Sequence, residues 1–261
     1  MGYGGGGCDG GKGCGGGMGC GGGKGSPDLS RIPAGLLAAK KKQYGGNGHM
    51  EASSSSGGGV MAVKMLVSQD EVGVLGHDPS TMQQIQQATG TVGMLSEGTY
   101  PGTLLQELTV QGPSGESVFN AVLGILNKIG EAMGVVAGGD MDVQQGEARV
   151  KLVVPKRAAA AIIGPGGQMV KQIKVQTGVR VHVDMNPVPC MDQLFEQAII
   201  LAGKFEGIQS ALYQVVTEVS NFSREDWFQP WAEYSNTGRE IPGLILYEGF
   251  YRGKGGKGGK E

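Results

Sequence analysis

One stretch of this chain is written twice, and that repeat limits the possible folds more than any other feature. Residues 63–90 read VKMLVSQDEVGVLGHDPSTMQQIQQATG, and residues 150–178 read VKLVVPKRAAAAIIGPGGQMVKQIKVQTG. Aligned on their loop glycines, Gly76 meets Gly164, Ile85 meets Ile173, and Thr89-Gly90 meets Thr177-Gly178. The copies begin about 87 residues apart, too far for a solenoid unit and suited to a duplicated domain. Two small cores are therefore expected, not one large one.

Each copy reads as the same series of elements. An alternating run opens it, at 61–67 in the first copy and 149–154 in the second. In the first copy Ser68 and Glu71 have capping-box spacing at the head of a short helix. In the second, Pro155 stops the strand, and the next eight residues from Lys156 are rich in alanine, the best helix former. A glycine loop and a second helix follow, with Ser80 and Gln83 suited to its cap in the first copy and Gly178 to its C′ stop in the second. Residues 179–184 alternate Val179, Val181 and Val183 against Arg180, His182 and Asp184, which gives one apolar face. A strand at 197–201 and a long helix complete the unit. That helix carries Phe205, Ile208, Leu212, Val215 and Val219 on one stripe, matched by Val118, Val122, Ile125, Ile129 and Met133 in the first copy. The expectation is an α+β fold of order β-α-α-β-β-α, twice.

Outside the repeat the composition changes. Of the 51 glycines, 23 fall in residues 1–59 and 6 in residues 249–261, without a strict G-X-Y period that would signal collagen. Such ends bury too little apolar surface to offset chain entropy and are expected to be disordered. Residues 35–42 can make a short helix ending in the basic cluster Lys40, Lys41, Lys42. Cys8, Cys14 and Cys20 lack the paired spacing and the fourth ligand of a structural zinc site, so no metal is expected. No apolar run approaches the ~18–20 residues of a membrane helix, and no secretory signal opens the chain. A soluble protein of the nucleus and/or cytoplasm is expected. The layout is a tail at 1–59, a first copy at 60–137, a linker at 138–146, a second copy at 147–222, an aromatic-rich extension at 223–248 and a Gly/Lys tail at 249–261.

The string Ile162-Ile163-Gly164-Pro165-Gly166-Gly167, followed by Val170-Lys171-Gln172-Ile173 and Thr177-Gly178, resembles the type I KH domain. The resemblance covers about 147–222, and residues 60–136 look like a divergent second copy, an arrangement similar to the poly(C)-binding and heterogeneous ribonucleoprotein-type KH proteins. It implies a three-stranded antiparallel sheet with three helices in each copy, no cofactor, no catalysis, and binding of single-stranded RNA or single-stranded DNA in RNA regulation or processing. The chemistry is simple: a tight glycine turn lets backbone N–H groups approach phosphate without a Cβ in the way, and a helix N-terminus favours the same anion. Carried onto this sequence, the clamp is Gly164, Pro165, Gly166 and Gly167, with Gln168 beside it. The groove takes Ala160, Ala161, Ile163, Val170 and Val181. Polar contacts come from Lys156, Arg157, Lys171, Lys174, Arg180 and His182.

The sequence departs from the family pattern at several points. The loop brings no cation of its own, and Gln197 stands where an arginine often precedes the third strand and reads a base. The first copy departs further, because its loop is Gly76-His77-Asp78-Pro79: Pro79 removes a backbone donor and Asp78 adds a carboxylate where phosphate would sit. Charge follows the same division. Residues 60–134 hold Lys64 and Lys128 against seven acidic residues, net −5, while residues 147–222 hold eight basic and six acidic residues, net +2, within a chain of formal net charge −2. The first copy is thus expected to pack against the second, self-associate or hold a protein partner.

The rival reading is a KH-fold interaction scaffold with little nucleic-acid contact. An enzyme is not expected, since His49, His77 and His182 assemble no catalytic constellation and no P-loop is present. Residues 221–231 concentrate Trp227 and Trp231, which either stack bases, anchor a partner or pack onto the second copy, the last being preferred. Leu244-Ile245-Leu246-Tyr247 fits either a short strand or a docking motif.

Overall fold

Seven residues, Met61–Val67, form β1, and every one of them is buried. Ser68 then turns the chain: its N–H donates to Glu71 Oε2 at 2.6 Å and its Oγ accepts from the Glu71 N–H at 3.3 Å, so the capping box forms. Helix α1 (Gln69–His77) follows, then α2 (Pro79–Thr89), which begins on proline, so Ser80 lies in its first turn and is not its cap. Strands β2 (Val92–Thr99) and β3 (Gln106–Gly112) and helix α3 (Gly115–Met133) complete this half. The other half runs β4 (Glu147–Pro155), α4 (Lys156–Ile163), a 3-10 turn at Pro165–Gly167, α5 (Gln168–Thr177), β5 (Arg180–Val183), the short β6 (Val188–Pro189), β7 (Phe195–Lys204) and α6 (Phe205–Ser220). Helix α7 (Phe228–Glu233) lies in the extension. This computed structural model describes residues 60–77, 79–133, 147–191 and 193–246. The tails expected at 1–59 and 249–261, the linker at 138–146, Asp78 and Tyr247 lie outside the described residues.

The strands form one continuous sheet of order β2-β3-β1-β4-β7-β5, with β6 added on β7. β4 and β7 outrun the expected 149–154 and 197–201 because they pair along their full length, from Glu147↔Lys204 to Pro155↔Glu196. β1 and β4 join the halves antiparallel at Lys64↔Val153 and Met65↔Leu152. Helices α3 and α6 cross this joint together, and Phe119 meets Tyr213 edge-to-face at 5.3 Å. The expectation of two small cores is therefore corrected: Val63, Val122 and Ile125 of one half share a single cluster with Leu152, Leu201 and Leu212 of the other. β1 and β4 are central strands covered on both faces, and that is why they read as nearly unbroken apolar runs.

Residues 221–246 do not pack on the second half alone, as preferred from sequence, but bridge both. Phe228 and Trp231 are buried, which removes Trp231 as a base-stacking surface. Gln111 donates to the Ala232 carbonyl at 2.9 Å, Gly238 N–H to the Thr99 carbonyl at 2.9 Å, and Asn186 to the Ile245 carbonyl at 2.7 Å. Leu246 is buried in a second cluster with Leu66, Tyr100, Val153, Ala198 and Ile200, so the 244–246 segment is an anchor in irregular conformation and no strand.

The bridge centres on a buried charge. Lys64 is 0% exposed, with its ammonium 3.7 Å from Glu107 Oε1 and 3.6 Å from Glu196 Oε2. It donates to the Tyr234 carbonyl at 2.5 Å and lies 4.8 Å from the centre of the Trp231 ring. Glu196 also accepts from Trp231 Nε1 at 2.9 Å and Asn236 Nδ2 at 2.6 Å. β1, β3, β7 and the extension thus meet at one hydrogen-bonded site. Burial raises the Glu107 carboxyl above its ordinary value against the pull of Lys64, with Glu196 adding to the rise.

Candidate nucleic-acid interface

The turn after α4 needs its glycines. Gly164 has φ +72°, and a Cβ there would lie 2.8 Å from Met169 Cβ. Gly166 and Gly167 follow at φ +58° and +75° in open space. Three left-handed residues in four reverse the chain so sharply that α5 starts at Gln168, with the bare turn at its N-terminus. Gly164 N–H donates to the Ala160 carbonyl and Gly167 N–H to the Gly164 carbonyl, which holds the turn, while Pro165 and Gly166 are exposed. Such a turn at a helix N-terminus is an anion-binding geometry.

The flanks divide the expected residues into groups. On α4, Ala160 is exposed and Ala161 and Ile163 are half-buried; Val170 on α5 and Val181 on β5 are also half-buried. Val181 pairs with Leu201, which faces the helices, so it shares that side of the sheet with α4 and α5. Gln168, Lys171 and Lys174 are exposed along α5, and neither lysine pairs with a carboxylate among the described residues. Together these make one surface of a backbone turn, a small apolar strip and two cations.

Four expected contacts lie elsewhere. Arg180 and His182 pair with Ala202 and Ile200, whose side chains occupy the opposite side of the sheet, so the period of two carries both away from the helices. Arg180 is moreover bound to Glu147 at 2.8 Å. Burial lowers the His182 imidazole below its ordinary value, with Asp184 opposing. Lys156 and Arg157 sit at the start of α4, ~10 Å of helix from Ile163. The Lys156 ammonium lies 5.7 Å over the Phe195 ring and the Arg157 guanidinium 5.7 Å over Trp227. Gln197 does not stand before the third strand; it lies inside β7, buried, with its amide donating to the Asp184 carbonyl at 2.9 Å. Phe195 and the seating of Trp227 are not evident from sequence. An aromatic opening a strand just after a Pro-rich loop is the available signal for the first.

The matching place in the other half is built differently. α1 runs straight through Gly76 and His77, and Gly76 has no left-handed φ. In the repeat alignment Met82, Gln86 and Gly93 stand where the second half has Val170, Lys174 and Val181. A Cβ on Gly93 would come within 3.1 Å of Met82 Cε and 3.3 Å of Gln86 Nε2, and that amide donates to the Gly93 carbonyl at 3.5 Å. Side chains fill the strip that the other half leaves open. The Cys190 thiol is buried, which raises it to about 11 and keeps it protonated near neutrality.

The chain is 28% identical over 192 residues to the RNA-binding protein Pasilla of Drosophila melanogaster, a match spanning 67% of this chain and 24% of that one. Two solved structures from Pyrococcus horikoshii OT3 are also similar: the a/eIF2alpha-aDim2p-rRNA complex (16% identity, 67% of this chain and 93% of that one, TM-score 0.24) and Dim2p (15% identity, 66% and 98%, TM-score 0.23). Residues 149–217 match the KH domain family. With its antiparallel sheet, its glycine turn between two helices and this match, the segment 149–217 is a KH domain.

Proposed function

We propose that this chain binds single-stranded RNA through the KH domain at 149–217, and serves in the handling of RNA after transcription. The turn at Gly164–Gly167 cradles phosphate, Lys171 and Lys174 supply positive charge, and the strip of Ala160, Ala161, Ile163, Val170 and Val181 receives bases. The observation that carries the reading is the turn itself: three left-handed glycines in four residues at the head of α5, opening onto two exposed lysines. The likeness to an RNA-binding protein supports RNA as the ligand. The half at 61–133 is a divergent copy of the same fold whose strip is filled, and it serves as the packing partner of the reader.

The test is fluorescence anisotropy of the full chain with a pool of short single-stranded RNAs over a salt series, beside Pro165→Asp/Gly166→Asp. Aspartate tolerates the left-handed φ of Gly166 and places carboxylates in the cradle. Binding should fall with rising salt and weaken at least tenfold in the variant, as expected when charge-assisted hydrogen bonds to phosphate are broken. Absent binding, or equal binding by the variant, overturns the reading in favour of a protein-interaction scaffold.

A further inference from the structure

Strand β2 is the outer strand of the sheet on one side, and among the described residues it pairs only with β3. The strand at the opposite side, β5, is four residues long and opens on Arg180, which Glu147 holds. β2 has eight residues, VGMLSEGT, with no lysine, arginine or proline to block a further partner and with Glu97 as its one charge. Val92, Met94 and Leu95 are exposed, so an open row of backbone groups and an apolar patch lie side by side. Such an edge pairs readily with another extended segment. Two contacts bring the end of the extension to it. Gly238 N–H bonds to the Thr99 carbonyl, and Gly238 lies so close that a Cβ on Gly98 would be 2.9 Å from its nitrogen. Leu246 is buried with Leu66 of β1 and with Tyr100, which follows the last residue of β2. Residues 247–261 come next, YEGFYRGKGGKGGKE, with Arg252, Lys254, Lys257 and Lys260 against two carboxylates. The half that contains β2 is the acidic one, net −5 over residues 60–134.

The geometry points to residues 247–261 as the segment that docks along β2, continuing the contact made at Thr99. Reach allows it. Two strand spacings, ~10 Å, separate β1 from β2, and β2 is ~26 Å long, while fifteen residues extend to ~50 Å. Phe250 and Tyr251 bring apolar surface to Val92, Met94 and Leu95, and the cations answer Glu97 and the net charge of the acidic half. A second copy of the chain fits less well, because it brings another acidic half to the same edge. The inference does not rest on RNA binding: the acidic half holds the basic tail whether or not the glycine turn binds phosphate.

The test is hydrogen exchange of the full chain, followed by NMR at two protein concentrations, for the unmodified protein and for Arg252→Glu/Lys254→Glu/Lys257→Glu/Lys260→Glu. The β2 amides that do not bond to β3 should exchange about tenfold more slowly in the unmodified chain, at both concentrations, with β3 and β7 amides alike in the two proteins. Equal exchange of β2 in both proteins overturns the docking. Protection that grows with protein concentration overturns it too, and assigns the edge to a second copy. A second measurement covers poor folding of the charge-reversed chain: trypsin cleavage after Arg252, read by mass spectrometry against cleavage after Lys12 and Lys24, in the unmodified chain and in Val92→Lys/Met94→Lys. Both substitutions fall at exposed positions. Releasing the tail should speed the cut after Arg252 at least about threefold. The same rate in both proteins means that the tail does not lie on β2.

Discussion

The halves at 61–133 and 147–220 close their second helices alike and their loops in opposite ways. Thr89 Oγ1 donates to the Ile85 carbonyl at 2.6 Å and Thr177 Oγ1 to the Ile173 carbonyl at 2.7 Å, with Gly90 at φ +65° and Gly178 at φ +71° behind them. Gly112 and Gly203 likewise sit where a Cβ would strike Thr91 and Val179, one position beyond those glycines. What packing requires is kept in both halves. What a phosphate cradle requires is kept in one: Gly164, Gly166 and Gly167 are left-handed, whereas Gly76 is an ordinary helical residue. The half without a cradle also fills its strip with Met82 and Gln86 and carries the negative charge. On the proposed reading the half with the turn is the reader and the other its buttress, and the two are joined through β1, β4 and the buried Lys64.

The joint gives the largest expected effect. Lys64→Met leaves Glu107 and Glu196 buried without their cation, and breaking a buried pair on one side costs about 3–5 kcal/mol. Thermal unfolding of the full chain should show it as one large drop covering both halves. Two separate transitions would mean that the halves are not held by this site.

The glycines divide the halves more finely. Gly164→Ala should destabilise by about 2–3 kcal/mol, from the left-handed φ and the Met169 clash together, and should weaken RNA binding with it. Gly76→Ala meets nothing within 4 Å in a helical position and should be neutral or stabilising by up to about 1 kcal/mol. Denaturant melts should therefore show a clear loss of stability for Gly164→Ala and none for Gly76→Ala.

Charge sharpens the contrast by a smaller amount. Lys171→Ala/Lys174→Ala should lower the slope of log affinity against log salt by about 1.4, or 0.7 for each single-strand phosphate that the variant no longer neutralises. The smallest effect is one of pH. Glu107 has its carboxyl raised in the folded state, so the folded protein holds that proton more tightly than the unfolded chain. Its contribution is fully present below the unfolded value and is lost as pH rises through the folded one. Glu107→Gln removes this dependence, so melting temperatures measured across pH 4–8 should show the unmodified chain gaining on the variant as pH falls.

Much of the KH half is legible in the sequence because its elements are punctuated locally. Pro155 and Gly164 bracket α4, and the alanines between them have one preferred state. The capping box at Ser68 and Glu71 is likewise a local signal. The joint is not legible, because pairing of β1 with β4 depends on two strands far apart in sequence. A lysine in the middle of the apolar run at 61–67 is its trace, pointing to a buried partner. The period of two within β5 correctly marks an apolar face, and that same alternation puts Arg180 and His182, expected as nucleic-acid contacts, on the side of the sheet away from α4 and α5. The extension is opaque, since residues 221–246 carry no long periodicity and are held by scattered hydrogen bonds with side chains and backbone groups of both halves. In the other half, closure of the strip by Met82 over Gly93 is a packing event that a glycine in a strand only hints at.

The most direct test of the division into reader and buttress is an exchange of the two loops in the full chain. Replacing 165–167 with His-Asp-Pro should abolish single-stranded RNA binding in anisotropy, and replacing 77–79 with Pro-Gly-Gly should add none, because Met82 and Gln86 still fill the strip beside it. RNA binding that survives the first exchange, or appears with the second, would contradict the account.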